Sequence, residues 1–475
     1  MKKTIIGLAL IATAGTFTAC NGFLEEEPLM KQSNELTFAT YEGLNQAGAA
    51  IYGMMQSDAW YDGQFVLQSE LRGGNAKNPL SIPGSGRYRQ DAQWNYSETN
   101  TSSLWTYAYY TISWCNNIIN SLETTDKGDA TAQDLNNLKA EALFMRALCH
   151  FELVITYAQP YKAGRDNLGV PVVLKTENGQ PSRNKVGEVY DQVVKDLLEA
   201  ESIISDNFKR SGVDDNAAVA SKPAIQALLS RVYLYMENWQ GAADYATKVI
   251  NSGKFALASG DDYLNMFSAA TAPEGGEIIF EVYGSKKNGY WDGSGWTHLA
   301  YITSWGNGND GSGDVCATTD LVNLYEAGDI RLNLFAKNEN DNLILKYKGK
   351  EGSVPRETNV PILRLSEMYL NRAEAILNGA SVSGATARGD LEAIASKRGA
   401  TVPAAINVQV ERRKELMFEG HIVYDLARTM SPLNRTDFDG TMNQNLPAAP
   451  DYHWAMPIPK RERDANPNVE QNPGY

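Results

Sequence analysis

The sequence predicts a mostly α-helical protein, in which paired helices pack against a loop-rich half that carries a few short strands. Three observations support this fold class. Apolar residues recur at helical spacing through long runs such as 138–157 and 186–204. Small residues lie where the two helices of a pair must approach closely, as in 221–253. The stretch 58–103 is rich in Gly, Asn, Ser and aromatic residues, and 273–360 carries strand-like pieces around long loops. Loops that long in a compact protein are usually either functional or disordered.

The predicted helical scaffold occupies about 104–252 and 362–428. Its clearest pair of helices lies in 221–253, where Ser221 is the expected N-cap and Asn238 separates two apolar runs. A helix–turn–helix of about 34 residues with small residues in both arms is similar to a tetratricopeptide unit. Such units bury their apolar faces only by stacking on one another, so the sequence predicts that the hairpins form a continuous stack.

Charged residues lie inside several predicted helices. Arg146, Arg231 and Arg372 each occupy the middle of an apolar helix. A denser group lies in the predicted helix 408–418, which contains Glu411, Arg412, Arg413 and Glu415. Because their spacings include three and four residues, we interpret this group as pairs within one helix, each contributing a few tenths of a kcal/mol. A catalytic pair of carboxylates is the less favoured interpretation.

The first 19 residues have the character of an export signal. Two lysines precede an apolar stretch, 5–17, that is too short to span a bilayer, and small residues then lead to Cys20. A cysteine at this point predicts a lipoprotein signal peptide over 1–19 and acylation of Cys20. The alternative is an ordinary secretory signal with a chance cysteine. Acyl chains contribute about 0.8 kcal/mol per buried CH₂, so several chains would anchor the protein to a membrane.

Composition excludes several classes of function. The 475-residue chain carries a formal net charge of −14, which makes nucleic acid a poor partner. It has four cysteines, and assigning Cys20 to lipid leaves an odd number, which argues against a disulfide framework. The four histidines lack zinc-ligand spacing. No phosphate-binding loop is found either, so we expect no metal and no cofactor. Calcium in the oxygen-rich loops 307–314 or 437–440 is the less favoured alternative, because neither loop has the twelve-residue calcium-loop pattern.

The strongest candidate site is a Gly-rich aromatic run near the middle of the chain. A sugar ring has an apolar C–H face that stacks on aromatic rings and a rim of hydroxyls that pairs with polar side chains. The alternative is that some of these rings only fix the loop to the core. The candidate ligand-binding residues in this run are Tyr290, Trp291, Asp292, Trp296, His298, Tyr301 and Trp305.

An earlier stretch supplies further candidates. Between residues 60 and 94 the chain combines aromatic and polar side chains, of which Arg72 and Trp94 are the selected ligand-binding residues. Trp105 and Trp114 follow in a helical apolar pattern and are expected to be core residues.

Several ordered segments resemble the SusD/RagB family of outer-membrane nutrient-binding lipoproteins. They are the cysteine followed by acidic residues, AEALFMRA at 140–147, GVP at 169–171, PSR at 181–183, the helical pair 224–250, LSEMYLNRAEA at 365–375, ERRKELMFEGH at 411–421 and QNPGY at 471–475. The resemblance implies a single domain over 20–475 with the fold described above.

The resemblance also implies a role at the cell surface. A protein of this kind would be lipid-anchored in the outer membrane, bind oligosaccharide or polysaccharide without catalysis, and deliver it to a SusC-like TonB-dependent transporter. Capture of peptides, as in the RagB branch, is the main alternative. A surface glycosidase is less favoured because it requires two carboxylates about 5 to 9 Å apart across a cleft. A purely structural helical scaffold would leave the tryptophans of the aromatic run buried.

Overall fold

The computed structural model describes residues 37–82, 86–285, 297–305, 311–350, 353, 356–437 and 445–475. Its α-helices are α1 Tyr41–Gly53, α2 Gln64–Arg72, α3 Arg89–Ala92, α4 Leu104–Ser121, α5 Ala132–Tyr157, α6 Val186–Ile203, α7 Lys222–Tyr235, α8 Trp239–Ile250, α9 Gly260–Asn265, α10 His298–Thr303, α11 Thr319–Val322, α12 Leu365–Leu377, α13 Ala387–Arg398, α14 Val408–Glu415, α15 Ile422–Arg428 and α16 Lys460–Ala465. Its strands are β1 Ala76–Lys77, β2 Ile278–Val282, β3 Cys316–Ala317, β4 Phe335–Asn338, β5 Asp341–Ile344 and β6 Val360–Arg364.

The helices stack as hairpins along one side of the molecule. Helix α5 packs against both α4 and α6, α7 packs against α8, and α12 packs against α8 and α13. The mostly helical fold class predicted from the sequence is therefore confirmed. The strands form a four-stranded sheet in the order β1-β3-β5-β4 and an antiparallel pair of β2 with β6.

Local capping residues determine where several helices begin. Ser221 accepts a hydrogen bond from the backbone N–H of Ala224, which confirms it as the N-cap of α7. Asn238 caps α8 in the same way. Thr131 and Asp134 form a reciprocal capping box at the start of α5. These side chains satisfy backbone donors that would otherwise lack partners, so the hairpin ends are encoded locally.

Some element boundaries differ from the sequence prediction. Residues 362–364 are part of strand β6 and not of the helix that follows, because they pair with β2. Helix α1 was not predicted. Helix α2 lies within the stretch 58–103 that was expected to be irregular, and all of its residues from Phe65 to Arg72 are buried. A helix buried on every side lacks the polar face that reveals an amphipathic helix in a sequence.

The arginines in the middle of the helices connect neighbouring helices. Each is buried, and its guanidinium donates two hydrogen bonds to a carboxylate on another helix of the stack, which fixes both the distance and the orientation of the two helices. The pairs are Arg146–Asp196, Arg231–Glu367 and Arg372–Asp390, with shortest separations of 2.7, 2.7 and 2.6 Å.

A buried ion cluster joins the helical stack to the strand-containing half. Glu415 at the end of α14 receives hydrogen bonds from three arginines on three other elements. We define the buried ion cluster as Glu277, Arg331, Arg364, Arg398, Glu415 and Glu419, whose side chains are all 0–1% exposed. The interpretation of 411–415 as pairs within one helix is therefore wrong for Glu415. It is also wrong for Arg412, which pairs with Asp425 on α15 at 3.3 Å, and for Arg413, which donates a hydrogen bond to Asn75.

Cys115, Cys149 and Cys316 are buried and form no disulfide. Among the residues that the structure describes, no helix is both long and apolar enough to cross a bilayer. Cys20 and the export signal lie outside the described residues, so their assignment stays a prediction.

Candidate ligand-binding site

A surface cleft of about 380 Å³ lies where the chain before α2, the segment around α3, the start of α4 and the start of α10 meet. It brings together residues that are up to 240 positions apart in the sequence. Its lining combines aromatic rings with carboxylate, amide, hydroxyl and guanidinium groups. The lining residues are Asp58, Ala59, Gln64, Arg87, Tyr88, Gln90, Asp91, Ser103, Tyr107 and His298.

His298 and Tyr88 form the centre of one wall. The Tyr88 hydroxyl and His298 Nε2 lie 2.6 Å apart and share a hydrogen bond, and the two rings meet edge to face. His298 is the first residue of α10, and its backbone N–H donates to Asp62 at 2.9 Å. Gly63 allows the His298 imidazole to pack against the backbone before α2, because a Cβ at position 63 would lie 2.4 Å from the imidazole Cδ2. The hydrogen bond of its backbone to Asp62, the hydrogen bond of its ring to Tyr88 and its packing against Gly63 together fix the position of His298.

The backbone at Tyr88 adopts a left-handed conformation that is uncommon for a residue other than glycine. Tyr88 has a φ of 61°, in the left-handed region, and it is the N-cap residue directly before α3. Burial raises the pKa of its phenol well above the usual range, so Tyr88 stays a neutral donor and acceptor. Asp91, one turn further, is buried, and burial raises its pKa to about 6 despite hydrogen bonds from Gln68 and Tyr96.

The floor of the cleft is anchored to the helical stack. Trp60 and Tyr61, just before the lining residue Gln64, are buried and stack with ring centroids 6.1 Å apart. The Trp60 indole N–H and the Tyr61 hydroxyl both donate to the carboxylate of Glu152 on α5. Because Glu152 lies in the longest helix of the scaffold, this contact fixes the cleft floor relative to the stack.

Tyr301 and Trp305 lie beside the cleft. Arg87, a lining residue, pairs with Asp314 at 2.8 Å and its guanidinium lies 5.8 Å from the centre of the Tyr301 ring. Trp305 is half-buried and packs against Gly313, where a Cβ would lie 2.9 Å from the Cβ of Trp305. The structure thus brings the two candidate stretches of the sequence to one place.

Two of the selected residues are core residues. Trp94 is 2% exposed, and its ring packs against Trp454 and His453. Arg72 is 1% exposed, and its guanidinium lies 4.6 Å from the centre of the Trp94 ring. The expectation that these two side chains face a ligand is corrected by their burial. Their cation–π contact lies inside the protein, where Arg72 also donates to the His453 carbonyl and the Trp94 indole N–H donates to the Arg72 carbonyl.

Four of the selected residues, Tyr290, Trp291, Asp292 and Trp296, lie outside the described residues. Of the selected ligand-binding residues that the structure describes, three lie in the cleft lining or beside it. They are His298, Tyr301 and Trp305. Sequence reasoning missed Tyr107 as a lining residue, because it lies in the helical pattern of 104–122, in which Trp105 and Trp114 were expected to be core residues. It also missed Asp58, Gln64, Arg87, Gln90 and Ser103, whose proximity depends on contacts between distant segments.

The described part of the chain contains no group of three or more His, Cys, Asp or Glu side chains arranged to hold a metal ion. The cleft itself offers hydroxyl, amide and aromatic groups, which suit hydrogen bonding and ring stacking. Asp58 and Asp91 are its carboxylates. The arrangement is therefore equipped to bind a ligand that has both polar groups and apolar faces.

A stack of helical hairpins that presents a polar and aromatic cleft defines a class of helical-repeat binding proteins. Two family models match this chain. The model described as starch-binding associating with outer membrane matches residues 22–234, and the model described as the SusD family matches residues 341–475. The chain belongs to the SusD/RagB family, and the resemblance inferred from the sequence is confirmed.

Known proteins are similar to this chain over its whole length or over part of it. The SusD-like protein P2 of Formosa agariphila is 26% identical over 535 aligned residues, which cover 100% of both chains. A SusD superfamily protein of Bacteroides thetaiotaomicron has a solved structure with 28% identity and a TM-score of 0.80, covering 91% of this chain and 100% of that one. The starch-binding protein SusD of Bacteroides thetaiotaomicron is 32% identical over 127 residues, covering 25% of this chain and 22% of that protein.

Proposed function

We propose that this protein is a cell-surface lipoprotein that binds oligosaccharide or polysaccharide and delivers it to a SusC-like TonB-dependent transporter in the outer membrane. The observation that carries the proposal is the cleft, in which Tyr88, Tyr107 and His298 lie with amide and hydroxyl groups. Membership of a family whose matched model is described as starch-binding supports the same role. The protein acts as a binding module without catalysis.

The chemistry of the cleft suits a neutral sugar. Tyr88 and Tyr107 supply aromatic faces for the C–H side of a pyranose ring, and Gln64, Gln90 and Ser103 supply donors and acceptors for hydroxyls. Tyr301 and Trp305 extend this surface. We assign Tyr290, Trp291, Asp292 and Trp296 to the same surface, because they directly precede the cleft residue His298 in the chain.

Binding is tested by calorimetry with soluble glycans against the purified protein lacking residues 1–20. The panel contains α-glucan, β-glucan, mannan, xylan and galactan, together with a mixed peptide library. Saturable binding of at least one glycan is the expected result. Binding of peptides with no glycan binding would instead indicate the RagB-like role, and release of shorter sugars from a bound glycan would indicate a glycosidase.

Location and partnership need separate tests. Acylation of Cys20 predicts that labelled palmitate is incorporated by the wild-type chain and not by Cys20→Ala, and that protease added to intact cells degrades the wild type. Partnership predicts that a β-barrel transporter co-purifies with the protein from detergent-solubilised outer membranes. Recovery of the wild-type protein as an unlabelled soluble species would contradict the lipoprotein assignment.

The hydrogen bond between Tyr88 and His298 provides a focused prediction. Tyr88→Phe keeps the aromatic ring and the left-handed backbone but removes the hydroxyl that orients His298. We expect the affinity for the bound glycan to fall about two- to tenfold, the effect of one hydrogen bond, while the melting temperature changes little. Tyr452→Phe is the matched control, because Tyr452 lies outside the cleft lining. Unchanged affinity in Tyr88→Phe would remove this wall from the binding site.

A further inference from the structure

Helix α4 carries a row of aromatic side chains on a solvent-facing surface. Tyr110 is 51% exposed, and Tyr107 and Trp114 are half-exposed. With 3.6 residues per turn, positions 107, 110 and 114 fall within about 60° of the helix circumference. We call Tyr107, Tyr110 and Trp114 the aromatic stripe. Trp114 was expected to be a core residue, but it lies at the margin of the core, edge to face with both Tyr110 and Phe38.

The stripe is unusual because it carries no charge. None of the 18 residues of α4, Leu104–Ser121, is Asp, Glu, Lys or Arg, whereas the whole chain has a formal net charge of −14. The solvent-facing side of a helix normally carries charged side chains. Here the neighbours of the stripe are Thr106 and Asn117, whose hydroxyl and amide groups are neutral. A surface of this kind fits a neutral partner with many hydroxyl groups better than a charged one.

The stripe is continuous with the cleft. Tyr107 is one of the residues that line the cleft, and it is also the first member of the stripe. From Tyr107 to Trp114 the helix axis advances about 10 Å, at 1.5 Å per residue, which is long enough for more than one sugar ring. A chain that leaves the cleft past Tyr107 therefore meets Tyr110 and then Trp114.

The far side of α4 is already occupied by the protein. The segment 171–176 packs there through hydrogen bonds from Tyr109 to the Pro171 carbonyl and from Asn116 to the Val173 carbonyl. Thr176 and Ser113 hydroxyls lie 3.3 Å apart. These contacts fix the rotation of α4 and so hold the stripe toward solvent.

We infer that the aromatic stripe is an outer subsite for an extended neutral glycan chain, so that the protein binds polymers more tightly than short oligosaccharides. The inference rests on the proposed glycan-binding function and deepens it by naming the substrate class. The rings of Tyr110 and Trp114 stack on the apolar faces of sugars beyond the cleft, and the neutral amides and hydroxyls beside them accept the rim hydroxyls. Continuity with the cleft favours this occupant over a protein partner.

The test compares Tyr110→Ala, Tyr110→Phe and wild type for binding of trisaccharides and soluble polymers of α-glucan, β-glucan, mannan, xylan and galactan. Because Tyr110 is half-exposed, its removal does not leave a cavity in the core. We expect Tyr110→Ala to bind the polymer about two- to tenfold more weakly, to bind the trisaccharide as the wild type does, and Tyr110→Phe to retain polymer affinity. Leu377→Ala, which removes an exposed apolar side chain on α12, is the matched control.

The outcomes separate this inference from the proposed function. No binding of any glycan by the wild type contradicts the proposed function, and the inference fails with it. Binding of both lengths with polymer affinity unchanged in Tyr110→Ala contradicts the stripe alone. Sedimentation of each variant provides a further readout, because a wild-type dimer that Tyr110→Ala converts to a monomer would assign the stripe to self-association and overturn the inference.

Discussion

Replacing Glu415 by Gln is expected to lower the free energy of unfolding by about 3–5 kcal/mol, the cost of removing one partner from a buried ion pair. Glu415 is fully buried, and its carboxylate accepts hydrogen bonds from Arg331, Arg364 and Arg398. Burial by itself would raise the pKa of Glu415, but the three guanidinium groups hold it well below its usual range. The carboxylate is therefore charged in the native state at neutral pH.

The physical reason for the large effect is the number of charges that share this carboxylate. An amide at position 415 keeps the shape of the side chain, but it leaves three buried guanidinium groups with one negative charge fewer. Glu277 and Glu419 remain, and they already pair with Arg398 and Arg364. Because proteins are stable by only about 5–15 kcal/mol, the variant is expected to lose a large fraction of its stability.

Urea denaturation followed by circular dichroism measures this effect at pH 7. The matched control is Glu392→Gln, because Glu392 lies on the surface and pairs with Arg388 one turn away at 3.5 Å. We expect the control to lose about 0.5 kcal/mol or less. If the two variants lost the same small amount, the buried ion cluster would not be the main connection between α14 and the strand-containing half.

The second large effect is a loss of stability as the pH rises. Between pH 5 and 7 we expect the free energy of unfolding to fall by about 1.4 kcal/mol per pH unit for each carboxyl group that is protonated only in the folded protein. Burial raises the pKa of Glu152 and of Asp62 to about 8, and that of Glu70 and Glu141 to about 7. In the unfolded chain the same groups release their protons near pH 4.

The direction of this pH dependence follows from the number of protons that the folded and unfolded states bind. Between pH 5 and 7 the folded protein holds protons on these carboxyl groups that the unfolded chain has lost, so raising the pH favours unfolding. Their stabilising contribution is complete below about pH 4 and is lost as the pH passes 7 to 8. Glu415 and Glu419 have lowered pKa values in the folded protein, because neighbouring cationic groups outweigh their burial, so they weaken the fold only on the acid side.

Glu152→Gln isolates one of these groups. The amide oxygen of a glutamine accepts from the Trp60 N–H, and its NH₂ group donates to the Tyr61 hydroxyl, which accepts as well as donates. We expect the variant to fold and to lose about 1.4 kcal/mol per pH unit of the slope between pH 5 and 7. Glu177→Gln, which changes an exposed carboxylate, is the control. An unaltered slope in Glu152→Gln would show that this carboxyl group is not protonated in the native state.

These two predictions depend on contacts that the sequence did not reveal. The sequence placed Arg146, Arg231 and Arg372 in the middle of apolar helices, but each partner carboxylate lies on another helix 18 to 136 residues away. The charged residues of 411–415 suggested pairs along one helix, because helical spacing is the only geometry that a single segment provides. Glu415 instead pairs with arginines of β6, α13 and the segment 329–331. Arg412 pairs with Asp425 on α15, and Arg413 donates to Asn75.

For the candidate site, too, the sequence predicted some of the residues, and contacts between distant segments decided the others. The sequence identified His298, Tyr301 and Trp305 as members of an aromatic run, and the structure places His298 in the lining of the cleft and the other two beside it. It selected Trp94 and Arg72 by residue type, but residue type cannot distinguish a ring that faces solvent from one that packs against another buried ring. Tyr107 was not selected, because it lies in a strongly apolar helix whose two tryptophans were expected to be core residues, although its own side faces the cleft.

The sequence alone determined the helical class, the N-cap at Ser221, the helix–turn–helix around Asn238 and the family, because these depend on spacing and residue type within short segments. Only the tertiary structure decided which charges pair, which tryptophans are buried and which distant segments form the cleft. The physical reason is that helix periodicity and capping are local interactions, whereas burial and ion pairing are properties of neighbours that the chain brings together only when the hairpins stack.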